Sequence, residues 1–326
     1  MIKANKLSKH YGPLVAVDDI SFQVQPGEVL GFLGPNGAGK STTMRMFAGF
    51  VQPTSGSAEI CGYSIEDQPT EAKRLIGYLQ EGAPTYGEMT PRTFLAFIAQ
   101  VRGLSRSAAA KRTADVIERL NLGPVLDQSI ETLSKGFKRR VGIAQAILHD
   151  PPVLIMDEPT DGLDPNQKHE VRQLIQSMAT DKIIVISTHI LEEVDAVCNR
   201  AIIIAQGRII ADETPAALIH RSRFHNAVTL KLDPAVDLEP ITKTLRELDG
   251  VEHVETNDKV RTITAFPASE ASLLKDISDL AAQKEWPLEQ LKLESGRLDE
   301  VFRTITTSNG AISDGAITGA TDGGTS

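Results

Sequence analysis

The sequence predicts an α/β protein: a mostly parallel sheet covered by helices on both faces, followed by a small α+β domain of ferredoxin-like order. Three observations carry this expectation. Short, nearly continuous apolar runs (Val29 to Leu33, Val153 to Met156, Ile183 to Ile186 and Ala201 to Ile204) are separated by helical stretches, as expected of strands buried on both faces. A glycine-rich segment, Gly34-Pro35-Asn36-Gly37-Ala38-Gly39-Lys40-Ser41, follows the first run and opens a helix. Beyond residue 223 the pattern becomes strand, helix, strand, strand, helix, strand.

Taken in order, residues 1 to 30 read as short strands. Asp18 to Val24 alternates in part, and Pro26-Gly27 is a turn signal. Ser41 to Phe50 reads as a helix until Gly49 and Pro53 interrupt it, and Ile76 to Leu79 as a strand. From Pro91 to Leu122 the period becomes helical, with Phe94, Phe97, Ile98 and Val101 on one expected inward face, and Val116, Ile117 and Leu120 inward on the next helix. In the second domain, strands are expected at 227–232, 251–256, 260–266 and 288–293, with helices at 241–248 and 271–284. The expected boundaries are 1–222, 223–306 and a disordered tail at 307–326. That tail is dominated by Gly, Ser, Thr, Ala and Asp and has too little apolar surface to offset ordering entropy.

Composition narrows the function. Lys and Arg total 34 against 43 Asp and Glu, a net charge of -9, which disfavours non-specific nucleic-acid binding because phosphate contacts need concentrated cations. Two cysteines, Cys61 and Cys198, are too few for a disulfide framework and read as buried free thiols. No apolar run approaches the ~18 residues of a membrane span. The start, Met1-Ile2-Lys3-Ala4-Asn5-Lys6, has no signal-peptide core, so a cytoplasmic chain is expected.

The segment 34–41 fits G-x-x-x-x-G-K-[ST], a phosphate-binding loop, and a chance match in a chain of 326 residues is on the order of one in a hundred. Its glycines let backbone N–H groups curl around phosphates at a helix N-terminus. Lys40 would reach the β- and γ-phosphates, and the Ser41 hydroxyl would ligate Mg²⁺. Val153 to Met156 ends in Asp157-Glu158. A carboxylate pair ending a buried strand needs a partner, and Mg²⁺ bridged to phosphates supplies one. Asp157 would hold the metal, and Glu158 would deprotonate the attacking water. Leu133-Ser134-Lys135-Gly136-Phe137 precedes a helix, where a hydroxyl and exposed N–H groups can form an anion site; taken alone, it reads rather as a simple N-cap with a basic first turn. Lys138-Arg139-Arg140 reads as a solvated face.

Together these residues resemble the ATPase subunit of an ATP-binding cassette (ABC) transporter over about residues 2 to 220. The elements stand in family order: Tyr11 in Lys9-His10-Tyr11-Gly12, the loop at 34–41, Tyr78-Leu79-Gln80-Glu81, the signature at 133–137, Asp157-Glu158, Gly162-Leu163-Asp164, and His189 in Ser187-Thr188-His189. The resemblance implies a P-loop cassette with an antiparallel β-subdomain and a helical signature subdomain. It implies ATP and Mg²⁺ as cofactors, and two cassettes packed head to tail. Gly34, Pro35, Asn36, Gly37, Ala38, Gly39, Lys40, Ser41 and Thr42 would cradle the nucleotide, with Tyr11 stacked on adenine. Ser134 and Gly136 would contact the γ-phosphate held by a second copy or a paralogous subunit. Asp164 would couple the two sites, and His189 would contact the γ-phosphate and hold Glu158.

Two departures from the family stand out. Lys135 and Phe137 replace the usual Gly and Gln of Leu-Ser-Gly-Gly-Gln, and Lys135 adds a charge that could approach the nucleotide. In the loop after Tyr78, the metal-facing position falls on Glu81 when counted from Gly77, with Gln80 one residue early. These departures, with the C-terminal module, resemble the ABC-2 type exporter ATPases, of the gliding-motility-associated and drug or sodium efflux kinds. That implies an integral membrane permease as partner, docking near Pro84 to Phe97, and a peripheral location on the cytoplasmic face of the cell membrane. The alternative is a soluble, non-transport ABC ATPase acting on ribosomes or DNA. Such proteins usually carry two cassettes, a coiled-coil insertion or a basic arm, and this chain shows none. A third reading is a regulatory module whose C-terminal domain senses a small molecule; Glu158 and His189 argue against an inactive ATPase.

Overall fold

The computed structural model describes residues 1–83, 85–268 and 272–314, and the chain divides into two compact units, Met1–Pro215 and Ala216–Ser326. In the first unit, β1 (Ile2–Tyr11) and β2 (Leu14–Val24) form an antiparallel hairpin. It turns through Gly12 at φ 58°, a left-handed conformation that glycine adopts without strain. Then come β3 (Val29–Leu33), α1 (Lys40–Phe47), β4 (Ser55–Ile60), β5 (Tyr63–Ser64), α2 (Pro69–Arg74) and β6 (Ile76–Leu79). Three longer helices follow, α3 (Pro91–Val101), α4 (Arg106–Arg119) and α5 (Lys135–Ile147). The unit is completed by β7 (Val153–Asp157), α6 (Pro165–Met178), β8 (Ile183–Thr188), α7 (Leu191–Val197), β9 (Arg200–Ala205) and β10 (Arg208–Glu213).

These strands make two sheets. One is antiparallel, in the order β2-β1-β4-β5. The other runs β10-β9-β3-β8-β7-β6, parallel throughout except for β10 at its edge. Every residue of β3, β7 and β8 is buried, which is why these strands read as unbroken apolar runs. Between the sheets lies a core that includes Ile2, Leu7, Phe22, Phe32, Met44 and Phe47. Phe22 packs against Phe32 and Phe47 at ring-centroid distances of 5.6 and 5.7 Å. Each such side chain contributes roughly 1.5–3 kcal/mol by leaving water.

The parallel register decides where the chemistry goes. Leu33 lies opposite Thr188, and Asp157 opposite Ser187. The loop after β3, the carboxylates ending β7 and the histidine after β8 therefore emerge side by side at one sheet edge, beyond the carboxyl ends of adjacent strands.

The helical region departs from the periodicity reading. The inward face of α3 is Pro91, Phe94, Leu95 and Ala99, while Phe97 is 37% and Val101 66% exposed. A Thr90–Thr93 capping box sets the start of the helix, and Leu95 and Ala99, one turn apart, seat it. The expected inward set on α4 is met at Val116 and Leu120, which are buried, while Ile117 is half-buried. Cys198 is buried, whereas Cys61, also expected to be, is only half-buried.

After α8 (Pro215–His220), the second unit runs β11 (His225–Leu232), α9 (Leu238–Arg246), β12 (Val251–Asn257), β13 (Thr262–Pro267), α10 (Leu274–Gln283), β14 (Leu288–Ser295) and α11 (Leu298–Asp314). Its sheet is antiparallel, in the order β12-β13-β11-β14. One core joins Val228, Leu230 and Ile263 from the sheet to Ile241, Leu245 and Ile277 from the two helices. The segment expected to form a disordered tail begins inside α11; beyond Asp314 it lies outside the described residues.

Candidate functional site

The glycine-rich loop is fixed by close backbone packing. A side chain at Gly34 would place its Cβ 2.4 Å from the Ile204 carbonyl oxygen, and one at Gly39 2.5 Å from that of Ala16. Gly39 caps α1 at φ 108°, a conformation closed to most side chains. The Gly207 N–H donates to the Ala38 carbonyl at 3.0 Å, bracing the loop against the β9–β10 turn. Lys40 is 7% exposed, and its ammonium donates to the Gly34 and Pro35 carbonyls at 2.6 and 3.1 Å. Burial lowers its pKa, while the Glu158, Asp157 and Glu81 carboxylates oppose that shift. The loop, both carboxylates and Glu81 therefore share one electrostatic neighbourhood.

At the end of β7, Asp157 is 1% exposed and accepts a hydrogen bond from the Ser187 hydroxyl. Glu158 stands at φ 51°, its N–H donating to the carbonyl and the hydroxyl of Ser187 at 3.1 and 3.2 Å. Both Glu158 carboxylate oxygens lie within 3.0 Å of His189 Nδ1. Burial raises the Glu158 pKa, with the His189 hydrogen bond, His189 charge and Lys40 pulling it back. A carboxylate so raised is a better base near neutral pH than an ordinary glutamate. Ser41 and Asp157 offer only oxygen donors, the chemistry Mg²⁺ takes. Among the described residues no group of three or more His, Cys, Asp or Glu could hold a metal by itself. The donor set thus fits an ion completed by substrate phosphates and water.

Other expected residues have different company. Tyr11 is 45% exposed, with the Lys9 ammonium 5.1 Å from its ring centroid. Ser134 caps α5, its hydroxyl accepting from the Phe137 N–H at 3.3 Å, and Gly136 is buried beside the Gln167 amide. Lys135 lies 2.9 Å from Asp161 of its own chain, so its charge is already paired. Asp164 caps α6, accepting from the Gln167 N–H at 2.9 Å. After β6, the backbone carbonyl of Gln80 accepts from Arg139, and the exposed Glu81 carboxylate is among the charges that oppose the burial shift of Lys40.

The reading of Lys138-Arg139-Arg140 as a solvated face fails for two of its three residues. Arg139 and Arg140 are 3% and 7% exposed. Arg139 donates to the Glu158 carbonyl at 2.6 Å and to the Gln80 carbonyl at 3.3 Å. Arg140 reaches the Leu120 carbonyl at 3.3 Å and Glu170 at 3.0 Å. Helical spacing held the signal: Arg139 and Arg140 stand one turn before Ile143 and Ala144, both on the buried face. A cavity of about 610 Å³ lies nearby, lined among others by Phe50, Tyr78, Gln80, Tyr86, Phe94 and Gln145.

Comparison with known proteins identifies the family. A family model described as ABC transporter matches residues 17–161. The linearmycin resistance ATP-binding protein LnrL of Bacillus subtilis (strain 168) is 33% identical over 307 residues, 94% of this chain and 98% of that protein. The Nod factor export ATP-binding protein I of Paraburkholderia xenovorans (strain LB400) is 38% identical over 219 residues, 67% of this chain and 72% of that one. Among solved structures, an ATP-binding subunit of an ABC transporter superposes with a TM-score of 0.64 and 32% identity, covering 68% of this chain and 92% of that chain. The dimeric bacterial ABC transporter cassette MJ0796, at 24% identity and a TM-score of 0.62, covers 66% of this chain and 99% of its own and shares the fold. The chain belongs to the ATP-binding ATPase subunits of ABC transporters.

Proposed function

We propose that this chain is the ATP-hydrolysing subunit of an ABC-2 type exporter, dimerising head to tail on ATP and driving a separate membrane permease. The observation that carries the catalytic part is the Glu158–His189 pair, 2.9 Å apart, at the sheet edge that also presents Lys40 and Asp157. ATP phosphates would lie on the N–H groups of residues 34–42 and draw the Lys40 ammonium from the Gly34 and Pro35 carbonyls. Ser41 and Asp157 would hold Mg²⁺, with Glu81 facing it; the ion would neutralise charge developing on the phosphates. Glu158 takes the proton of the attacking water. His189, bonded to Glu158 through Nδ1, aims that carboxylate and keeps Nε2 for the γ-phosphate.

Tyr11 would stack on adenine, and Asp164 would couple the two sites of the dimer. Ser134 and Gly136 would act on ATP held by the second subunit. This is supported by their place at the start of α5, where the capping hydroxyl and first-turn N–H groups suit a phosphate. The export reading rests on the names of similar proteins, one a Nod factor export and one a linearmycin resistance ATP-binding protein. A docking place for a permease segment is supported by the cavity beside Tyr86 and Phe94, by the exposed Phe97 that packs on Tyr86, and by the exposed Val101 on the same helix α3. The chain would then sit on the cytoplasmic face of the membrane; among the described residues no helix is long and apolar enough to cross it. The strand order of the second unit supports the ferredoxin-like assignment.

Glu158→Gln is the direct test. It should retain ATP binding while turnover falls by roughly 10²–10⁴, the usual contribution of a general base. Wild-type turnover in the purified variant would remove Glu158 from that role.

A further inference from the structure

Outside the residues discussed so far, one buried carboxylate joins the two segments that carry the catalytic pair. Glu193, in the first turn of α7, is 2% exposed. One of its oxygens, Oε1, accepts from the hydroxyl of Thr160, two residues beyond Glu158. Its other oxygen, Oε2, accepts from the Thr188 hydroxyl at 3.0 Å, and Thr188 directly precedes His189. Thr188 is held in turn, since its hydroxyl accepts from the Ile190 N–H at 3.0 Å. Two cations of α6 face the same carboxylate, Lys168 at 3.6 Å and Arg172 at 4.0 Å.

We propose that Glu193 is a positioning residue for hydrolysis: by holding Thr160 and Thr188 on its two oxygens, it sets Glu158 and His189 at their working separation. The chemistry favours this over simple core filling. A buried carboxylate is costly unless its lone pairs are satisfied, and an apolar residue would fill the space without that cost. Its two threonine bonds lead, within two residues, to the two members of the pair. Glu158 and His189 directly follow different strands, β7 and β8, and their own contact leaves His189 exposed. Without a brace behind it, the end of β8 could drift while the fold stayed intact. A displacement of 1 Å at such a pair is enough to slow catalysis strongly. The inference rests on the proposed roles of Glu158 and His189.

The test uses the full-length chain and compares Glu193→Gln, Glu158→Gln and the double variant. Glu193→Gln keeps the volume but offers one carbonyl oxygen where two oxygens accepted. ATP-binding stoichiometry counts the folded fraction. Glu193→Gln should bind ATP with wild-type stoichiometry and an affinity within about two-fold, while kcat falls roughly 10- to 100-fold, the usual cost of losing a supporting partner. In the Glu158→Gln background it should add nothing further, because the aimed group is already gone. Should Glu193→Gln fail to fold, Thr160→Val cuts one of the same ties and should lower kcat at unchanged KM. Wild-type kcat in Glu193→Gln, beside an inactive Glu158→Gln, overturns this inference alone. Losses that multiply in the double variant overturn it too, since they would place Glu193 on a separate path. Wild-type turnover in Glu158→Gln would instead overturn the reading on which the inference stands.

Discussion

Replacing Arg139 by methionine tests whether a buried cation really ties the loop after β6 to the end of β7. Methionine keeps most of the aliphatic stem, so the change isolates the guanidinium. Two bonds are lost, one to the Glu158 carbonyl at 2.6 Å and a longer one to the Gln80 carbonyl at 3.3 Å. A hydrogen bond from a charged donor contributes about 1.5–3 kcal/mol, and the long one is better valued near 1 kcal/mol. Against about 3 kcal/mol in all stands relief from burying the guanidinium, whose pKa burial lowers although Asp161, Asp157, Glu158 and Glu81 oppose it. Allowing about 1 kcal/mol for that relief leaves a net loss of about 2 kcal/mol. With an m-value of about 3 kcal/mol per molar urea, the unfolding midpoint of the first unit should fall by roughly 0.7 M. Far-ultraviolet circular dichroism is the right probe, because the single tryptophan, Trp286, reports the second unit. A midpoint unchanged to within about 0.2 M would show that burial cost cancels both bonds, and the tie would have no energetic content.

Further outcomes follow from the same geometry. Only ionised Glu158 can accept a proton, and burial raises its pKa. The rate kcat/KM should therefore fall as pH drops through that raised value, with an acid limb above the ordinary glutamate range. Histidine 189 lowers the Glu158 pKa, so His189→Ala should move the limb to still higher pH; a limb that stays in place would uncouple the two. Tyr11→Ala should weaken ATP and GTP binding alike by about 1–3 kcal/mol, the scale of one base–aromatic stack, and unchanged affinity by calorimetry would return Tyr11 to ordinary surface. Ser134→Arg and Lys40→Ala should each inactivate a homodimer. Mixed dimers, which pair one intact Lys40 with one intact Ser134, should regain up to about half the wild-type rate, with site coupling lowering it. No rescue in mixed dimers verified by mass would refute independent composite sites.

The parts of the site legible from sequence were those whose chemistry is local. Strands β3, β7 and β8 are buried on both faces and read as apolar runs, and the motifs ending them sit where the chain leaves the sheet. Strand β4, Ser-Gly-Ser-Ala-Glu-Ile, gave no such signal because half of it is exposed. Arg139 and Arg140 escape a sequence reading for a different reason. Charge in a sequence suggests solvent, but their partners are the Glu158, Gln80 and Leu120 carbonyls, brought near only by folding. The Lys135–Asp161 ion pair is hidden from sequence for the same reason, since its two members lie 26 positions apart. Glu193 was invisible in the same way, since nothing local distinguishes it from its exposed neighbour Glu192. On α3 the periodicity places Phe94 correctly in the core, but the buried stripe continues through Leu95 and Ala99 and leaves Phe97 and Val101 outside it.

Glu158 occupies a backbone conformation, φ 51°, that a side chain other than glycine enters at a cost of roughly 1–2 kcal/mol. The residue proposed as the base thus stands just past β7 in a conformation that glycine would adopt more easily. Tolerance to mutation and usefulness pull apart there. A screen that rewards only thermal persistence should drift toward Gly or Asn at residue 158 and lose hydrolysis as it does so. A screen that rewards turnover should hold Glu158 and collect its gains in stability elsewhere. The resting molecule would therefore carry a small, permanent tension at the residue proposed to act.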